Sequence, residues 1–290
     1  MEHCVTGGRG RLLLAAGLLC LLGACSSTTF VYNRLDSILP WYLDDYVELN
    51  NNQDRQLDEV LAPFLAWHRQ QELPRYVALL EQVEAELDGP VSADEVDGIY
   101  VGIEDAWLRL QDKSLDWLLA LGATLSDAQV QEFIEVLQER QEEYEEEYLE
   151  RSEREYREDS YEALVDSMQD YLGRLTDTQR ERLRAASLEL RRSDAIWLQE
   201  RAAWLQRLDI LMQRQPGWQL QVREAIALRD ETVSEQYTAT YEHNLEVIFS
   251  AIAAVLDSRS EKQDQRLRAE LRDLRDDLQT LIDQGMARAA

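Results

Sequence analysis

Beyond about residue 125 the apolar positions of this chain recur every three or four residues and almost never alternate, so it reads as helix, not strand. Val130, Phe133 and Leu137 open one run, which Leu164, Met168 and Leu172 close. Val233, Tyr237, Tyr241, Leu245, Ile248, Ile252 and Val255 mark another, and Leu267, Leu271, Leu274, Leu278 and Leu281 follow a strict 4-3-4-3 spacing. Trp197-Leu198, Trp204-Leu205 and Leu211-Met212 repeat every seven residues, a seam suited to close antiparallel packing. Breaks are expected at Pro40, 50–52, 73–74, 88–90, Gly122, Gly173, 215–217 and 257–260, with Pro63 kinking a helix or sitting in its first turn. The predicted helices are therefore 30–48, 53–72, 74–88, 92–121, 126–172, 177–214, 218–256 and 260–286.

The fold class that follows is all-α: an elongated antiparallel bundle, with shorter helices in 31–122 and long ones in 123–290, read as one continuous domain. The predicted helix 126–172 would be about 70 Å long at 1.5 Å per residue. Its middle, "LERSEREYREDS" at 149–160, is almost devoid of apolar residues. That implies a partly exposed helical hairpin with 177–214 as the return arm.

Three phrases share a skeleton: "LNNNQDRQL" at 49–57, "LSDAQVQEF" at 125–133 and "LTDTQRERL" at 175–183. With Asn50, Ser126 and Thr176 as N-caps, Gln53, Gln129 and Gln179 fall at N3, where each side chain reaches back to the cap amide. The phrase thus starts helices. Ser92 with Glu95, and Ser258 with Glu261, offer the same spacing.

The N-terminus changes the picture. Arg9 and Arg11 precede an apolar stretch from Leu12 to Leu22, and Leu22, Gly23 and Ala24 lead to Cys25: the layout of a secretory signal over 1–24. The small residues before the cysteine resemble the bacterial lipobox, which implies lipidation of Cys25 and a tether over 25–30. In the sorting rule that comes with that resemblance, Ser26 points to the outer membrane, facing the periplasm. Only Cys25 survives such processing, so no intrachain disulfide is available and the core must hold the fold.

The formal charge is −27. Glu2, Arg9 and Arg11 together carry +1, so the processed chain stands at −28. Lys113 and Lys262 are the only lysines. Such acidity opposes nucleic acid and anionic lipid surfaces, which leaves acyl chains on Cys25 as the membrane attachment.

Chemistry has few footholds. His68 and His243 belong to neither a di-iron nor a zinc-protease helix pattern, and no nucleophile elbow, P-loop or dinucleotide fingerprint is present. No cofactor or metal is expected. The Glu142/Glu145, Glu143/Glu146 and Glu147/Glu150 spacings suit a solvated face paired with Arg151, Arg154 and Arg157, with a hard-cation site as the alternative. Asp44 and Asp45 sit among Trp41, Tyr42 and Tyr46, while Tyr144, Tyr148 and Tyr156 share one predicted helix face. These six aromatics are the candidate interaction surface. The leucines 267–281 are expected to pack on the chain's own bundle or on a second copy.

The stretch "LPWYLDDYVELNNNQDRQLDEVLAPFLAWHRQQELPRYVALL" at 39–80, with the lipobox and helix starts around it, resembles a family of uncharacterised proteobacterial lipoproteins of unknown function. That implies an envelope location and no stated activity. More narrowly, Leu175, Thr176 and Gln179, and Leu125, Ser126 and Gln129, resemble the Leu-Thr-x-x-Gln phrase of Spy- and CpxP-type periplasmic helical proteins. The expected function is a non-enzymatic, lipid-anchored envelope protein that works through an envelope protein partner. The alternatives are a Spy-like holdase and a carboxylate-based cation-binding bundle.

Overall fold

The computed structural model describes residues 27–289, so Leu22, Gly23, Ala24, Cys25 and Ser26 lie outside the described residues. Among those described, all regular structure is helical. Helices α1 (Ser27–Tyr32) and α2 (Leu35–Asp44) lead into α3 (Asn51–Trp67), a π-turn (His68–Glu72) and α4 (Leu73–Glu86). Then come α5 (Ala93–Gly122), α6 (Asp127–Glu150), α7 (Glu153–Leu172), α8 (Asp177–Glu189) and α9 (Asp194–Met212). Two short helices, α10 (Trp218–Ala227) and α11 (Arg229–Thr232), precede α12 (Glu235–Asp257) and α13 (Glu261–Ala289).

All three phrases form the capping boxes their spacing predicts, as does Ser92 with Glu95. The pattern at 258–261 is displaced by two residues: Ser260 is the cap and Gln263 returns to its amide. The glutamines do more than cap. Gln53 Nε2 donates to Gln129 Oε1 at 3.0 Å, and Gln129 Nε2 donates back to Gln53 Oε1 at 2.8 Å. Gln179 and Gln263 form the same reciprocal pair at 3.2 and 2.9 Å. In the first pair each amide also donates to a carbonyl just before the other helix, Gln53 to Thr124 and Gln129 to Glu48. Gln263 likewise reaches Arg174 O, and Gln179 reaches Val255 O.

These two locks organise an approximate internal repeat. In the first half an interrupted helix (α3, π-turn, α4) is followed by α5 and the capped helix α6. In the second, the interrupted pair α8 and α9 is followed by α12 and the capped helix α13. The halves interlock: α6 packs on α9, α13 packs on α4, and α5 meets α12. Leu87, Val165, Leu172, Leu183, Val255 and Leu271 share one core drawn from both halves. The leucine stripe of α13 is used inside the chain, with Leu267, Leu271, Leu278 and Leu281 buried and Leu274 packed beside them.

The predicted hairpin forms, with α6 packing on α9 and α7 on α8, but each of its arms is broken once. Helix 126–172 breaks at Arg151, because Ser152 and Glu155 make a further capping box within the polar stretch read as exposed helix. Arg192 Nη2 donates to Tyr148 O and Arg151 O, closing the C-terminal end of α6. Arm 177–214 breaks at 190–193, where Arg157 Nη1 donates to the carbonyls of Ser187, Leu188 and Leu190. Segment 218–256 breaks between α10 and α12, and the expected tether is helical from Ser27. Conversely, Pro40 lies inside α2, and the expected break at 73–74 is replaced by the π-turn, which spaces the backbone just ahead of Pro74.

Gln179 is fully buried. Replacing it with Ala removes a cap acceptor and strands buried partners on Gln263 and Val255, at a cost of about 2–3 kcal/mol. Gln179→Glu keeps the cap acceptor but removes the donor and is expected to be at least as destabilising. Urea denaturation of both variants checks this order.

Candidate functional site

The π-turn lies where an α-helical apolar stripe, Leu57–Leu61–Phe64, runs on into His68, Glu72 and Tyr76. Polar residues at core positions need partners, and here the partners come from elements far apart in sequence. Tyr32 Oη and His68 Nδ1 are 2.8 Å apart, while Tyr76 Oη lies 3.4 Å from Nε2. Both ring nitrogens are thereby engaged. His68 keeps part of its surface open, but the imidazole lies among Tyr32, Trp67 and Tyr76. This burial pulls its pKa from 6.5 down to about 4, against the opposing pull of Glu72. Burial also pushes the Tyr32 hydroxyl up to about 12, opposed by Arg69, and raises that of Tyr76, with the Glu72 carboxylate adding to the rise.

Glu72 is fully buried and is held by two guanidinium groups. Arg109 approaches both carboxylate oxygens through Nε, at 3.2 and 3.0 Å, and Arg75 Nη1 donates at 2.9 Å. Removing either partner would leave a buried charge short of compensation. Arg69, also buried, takes the opposite direction. Its Nη2 donates to Asn33 Oδ1 at 2.9 Å, its Nη1 to Leu281 O at 3.3 Å, and its guanidinium stands 4.9 Å from the Tyr32 ring centre. Gly285 makes this crossing possible, since a Cβ there would meet Arg69 Cδ at 2.5 Å. Asn33 Nδ2 donates to Gln284 Oε1, and Thr29 Oγ1 to Asp277 Oδ1. Helix α1 and the turn after it are thus latched to the π-turn and to α13.

A matching carboxylate marks the second interrupted helix. Asp194, 2 % exposed, receives Arg151 through Nε and Nη2 and Arg192 through Nε. Asn244 clamps the same break through both the N–H and the carbonyl of Arg191.

The six aromatics of the predicted interaction surface do not share a face. Trp41 is 65 % exposed. Tyr42 is half-buried and hydrogen-bonds Tyr46, which is buried beneath the Arg140 guanidinium. Tyr144 and Tyr148 stack on each other and close over Trp197. Tyr156 belongs to α7, where it is buried and donates to Arg191 O. Asp44 and Asp45 are exposed, and His243 faces Glu189 O at 3.1 Å. Among the described residues no group of three or more His, Cys, Asp or Glu side chains gathers as a metal site. In the acidic run Glu145 accepts from Gln141, and Arg157 pairs with Glu153.

A family model, described as a family of unknown function (DUF6279), matches residues 45–238, about two-thirds of the chain. The chain belongs to this family. The matched DUF6279 region contains His68, Arg69, Glu72, Tyr76 and Arg109, whereas Tyr32, Asn33 and all of α13 fall outside it. The latch therefore joins flanking segments to the family region. No curated protein and no solved structure matches the chain.

No ligand pattern surrounds His68 in the sequence, and no motif there singled out Tyr32, Glu72, Tyr76 or Arg109. The available signal was a carboxylate on an apolar stripe, four residues from His68 and four from Tyr76.

The unfolded imidazole titrates near 6.5 and the folded one near 4, so between those values the unfolded state binds more protons. Stability is expected to be retained above pH 6.5 and to fall by about 3 kcal/mol as pH drops towards 4. His68→Phe should flatten that part of a denaturation-versus-pH profile. Gly285→Ala should lower the melting temperature despite better helix propensity. Gly98→Ala, on an exposed helical position with open space, should raise stability by about 0.5–1 kcal/mol.

Proposed function

We propose that this protein is a lipid-anchored cell-envelope component of the outer membrane, facing the periplasm, that works by protein contact and not by catalysis. The observation that carries this reading is the latch. Helix α1 starts at Ser27, two residues after Cys25, and is fastened to the body through Tyr32, Asn33 and Thr29. An acyl anchor on Cys25 would then hold the bundle at a defined distance and orientation from the bilayer, as a scaffold requires. The polar cluster itself favours a positioning role, since both His68 nitrogens face tyrosine hydroxyls and Glu72 is matched by arginines. No helix of the described residues is long and apolar enough to cross a membrane, and acyl chains supply attachment without one.

Trp41 is the aromatic that this reading offers to a partner, at 65 % exposure on α2 next to the latch. The holdase alternative draws nothing further from the geometry, because Gln129 and Gln179 are engaged in the internal locks.

Cys25→Ala is expected to move the protein from the membrane fraction to the soluble one. A chain that stays membrane-bound after this change ends the anchoring proposal. A photo-crosslinking residue at Trp41 should give one or two discrete adducts in cells. A broad smear that grows under unfolding stress would favour the holdase instead.

A further inference from the structure

A cleft of about 80 Å³ opens between α9, α11 and the start of α12, away from the π-turn. It exists because the halves differ there. Residues 87–92 join the two helices in the first half, whereas 213–234, with α10 and α11, make the corresponding connection in the second. Trp204, with the Arg229 guanidinium 5.6 Å from its ring centre, and the parallel rings of Tyr237 and Tyr241, 6.1 Å apart and tilted by 7°, line it. Arg201, Arg207 and Arg229 also line it, with Glu200 and Asp230. Glu200 is already engaged, accepting from the Ser234 N–H at the head of α12.

This concentration of guanidinium groups is unusual for a chain with 57 carboxylate residues and 30 cationic ones. Most of the strongly held arginines meet a carboxylate or a helix end. Arg201 does neither: it is 7 % exposed, donates to Gln141 Oε1 and lies 5.1 Å from the Tyr144 ring centre, and among the described residues it has no ion pair. Burial pulls its pKa down, opposed by Tyr144, Tyr46 and Glu145. Among the described residues Arg207 donates to Thr232 Oγ1 at 3.4 Å. Trp197, which also lines the cleft, has a buried indole N–H with no acceptor among the described residues. Arg207 is exposed, so an incoming anion can reach its guanidinium.

We propose that the cleft binds a small organic carboxylate with an aromatic or branched apolar body. Arg207 takes the carboxylate, with Arg201 adding positive charge from the same helix, and the body lies against Trp204 and the tyrosine pair. The cleft is small and open on one side, so a carboxylate and one face of the body would enter it while the rest stays in solvent. A guanidinium fork matches carboxylate geometry, and its charge-assisted hydrogen bonds are roughly twice as strong as neutral ones. The same chemistry is offered by a free small acid and by the C-terminal residue of a peptide.

The test is calorimetric titration of the purified protein with N-acetylphenylalanine, its neutral amide, and the tripeptide Ala-Ala-Phe with a free C-terminus. Saturable binding of the acid with a Kd of about 1 mM or tighter, and none of the amide, is expected. Arg207→Gln, at an exposed position, should weaken it about tenfold, and Trp204→Ala should weaken it while leaving the melting profile in place. Tighter binding of the tripeptide assigns the cleft to peptide C-termini, and equal or weaker binding assigns it to free acids. No saturable heat from either acid up to about 10 mM, equal binding of acid and amide, or an unchanged affinity in Arg207→Gln overturns the proposal.

Discussion

The arrangement of the chain depends on two reciprocal amide pairs, Gln53 with Gln129 and Gln179 with Gln263. Each glutamine satisfies an orphan amide at its own helix start and also reaches a partner from a distant helix start. Because each amide has both a donor and an acceptor end, a pair closes only when both helices begin at a fixed register and a fixed approach. The locks thus tie the start of α3 to that of α6 and the start of α8 to that of α13.

Within that frame the interrupted helices hold the costly groups. Glu72 and Asp194 are buried carboxylates at corresponding interruptions, each between two arginines. Apolar residues at these sites would be easier to bury, and a lost partner is more damaging than an apolar replacement. Their presence makes each break specific: the backbone can change direction only where guanidinium groups converge. At 148–152 and 187–191 the arginines also take the free carbonyls of the helix ends, so one residue type serves both needs.

The two halves differ in what surrounds their breaks. The first surrounds the π-turn with His68, Tyr32 and Tyr76 and fastens the N-terminal helix, which is where an anchor would exert its force. The second elaborates the connection between α9 and α12 into a cleft with guanidinium groups in excess of nearby carboxylates. In a chain of charge −27, most of the surface repels anions, and that cleft offers them a local exception.

The sequence by itself determined the helical class, because apolar spacing of three and four residues is a local property. It also determined the helix starts at Asn50, Ser92, Ser126 and Thr176, because a capping box closes within four residues. By the same rule Ser152 with Glu155 was legible, yet the polar run around it suggested one long exposed helix. Which arginine meets which carboxylate, the pairing of the glutamines, and the burial of Tyr46, Tyr156 and Glu72 were decided only by tertiary structure. Many of those contacts join residues 37 to 191 positions apart, and a solvated charge and a buried, matched one have the same letter in the sequence. The candidate site was legible only as an anomaly, a glutamate on an apolar stripe beside a histidine, until α1, α5 and α13 supplied its partners.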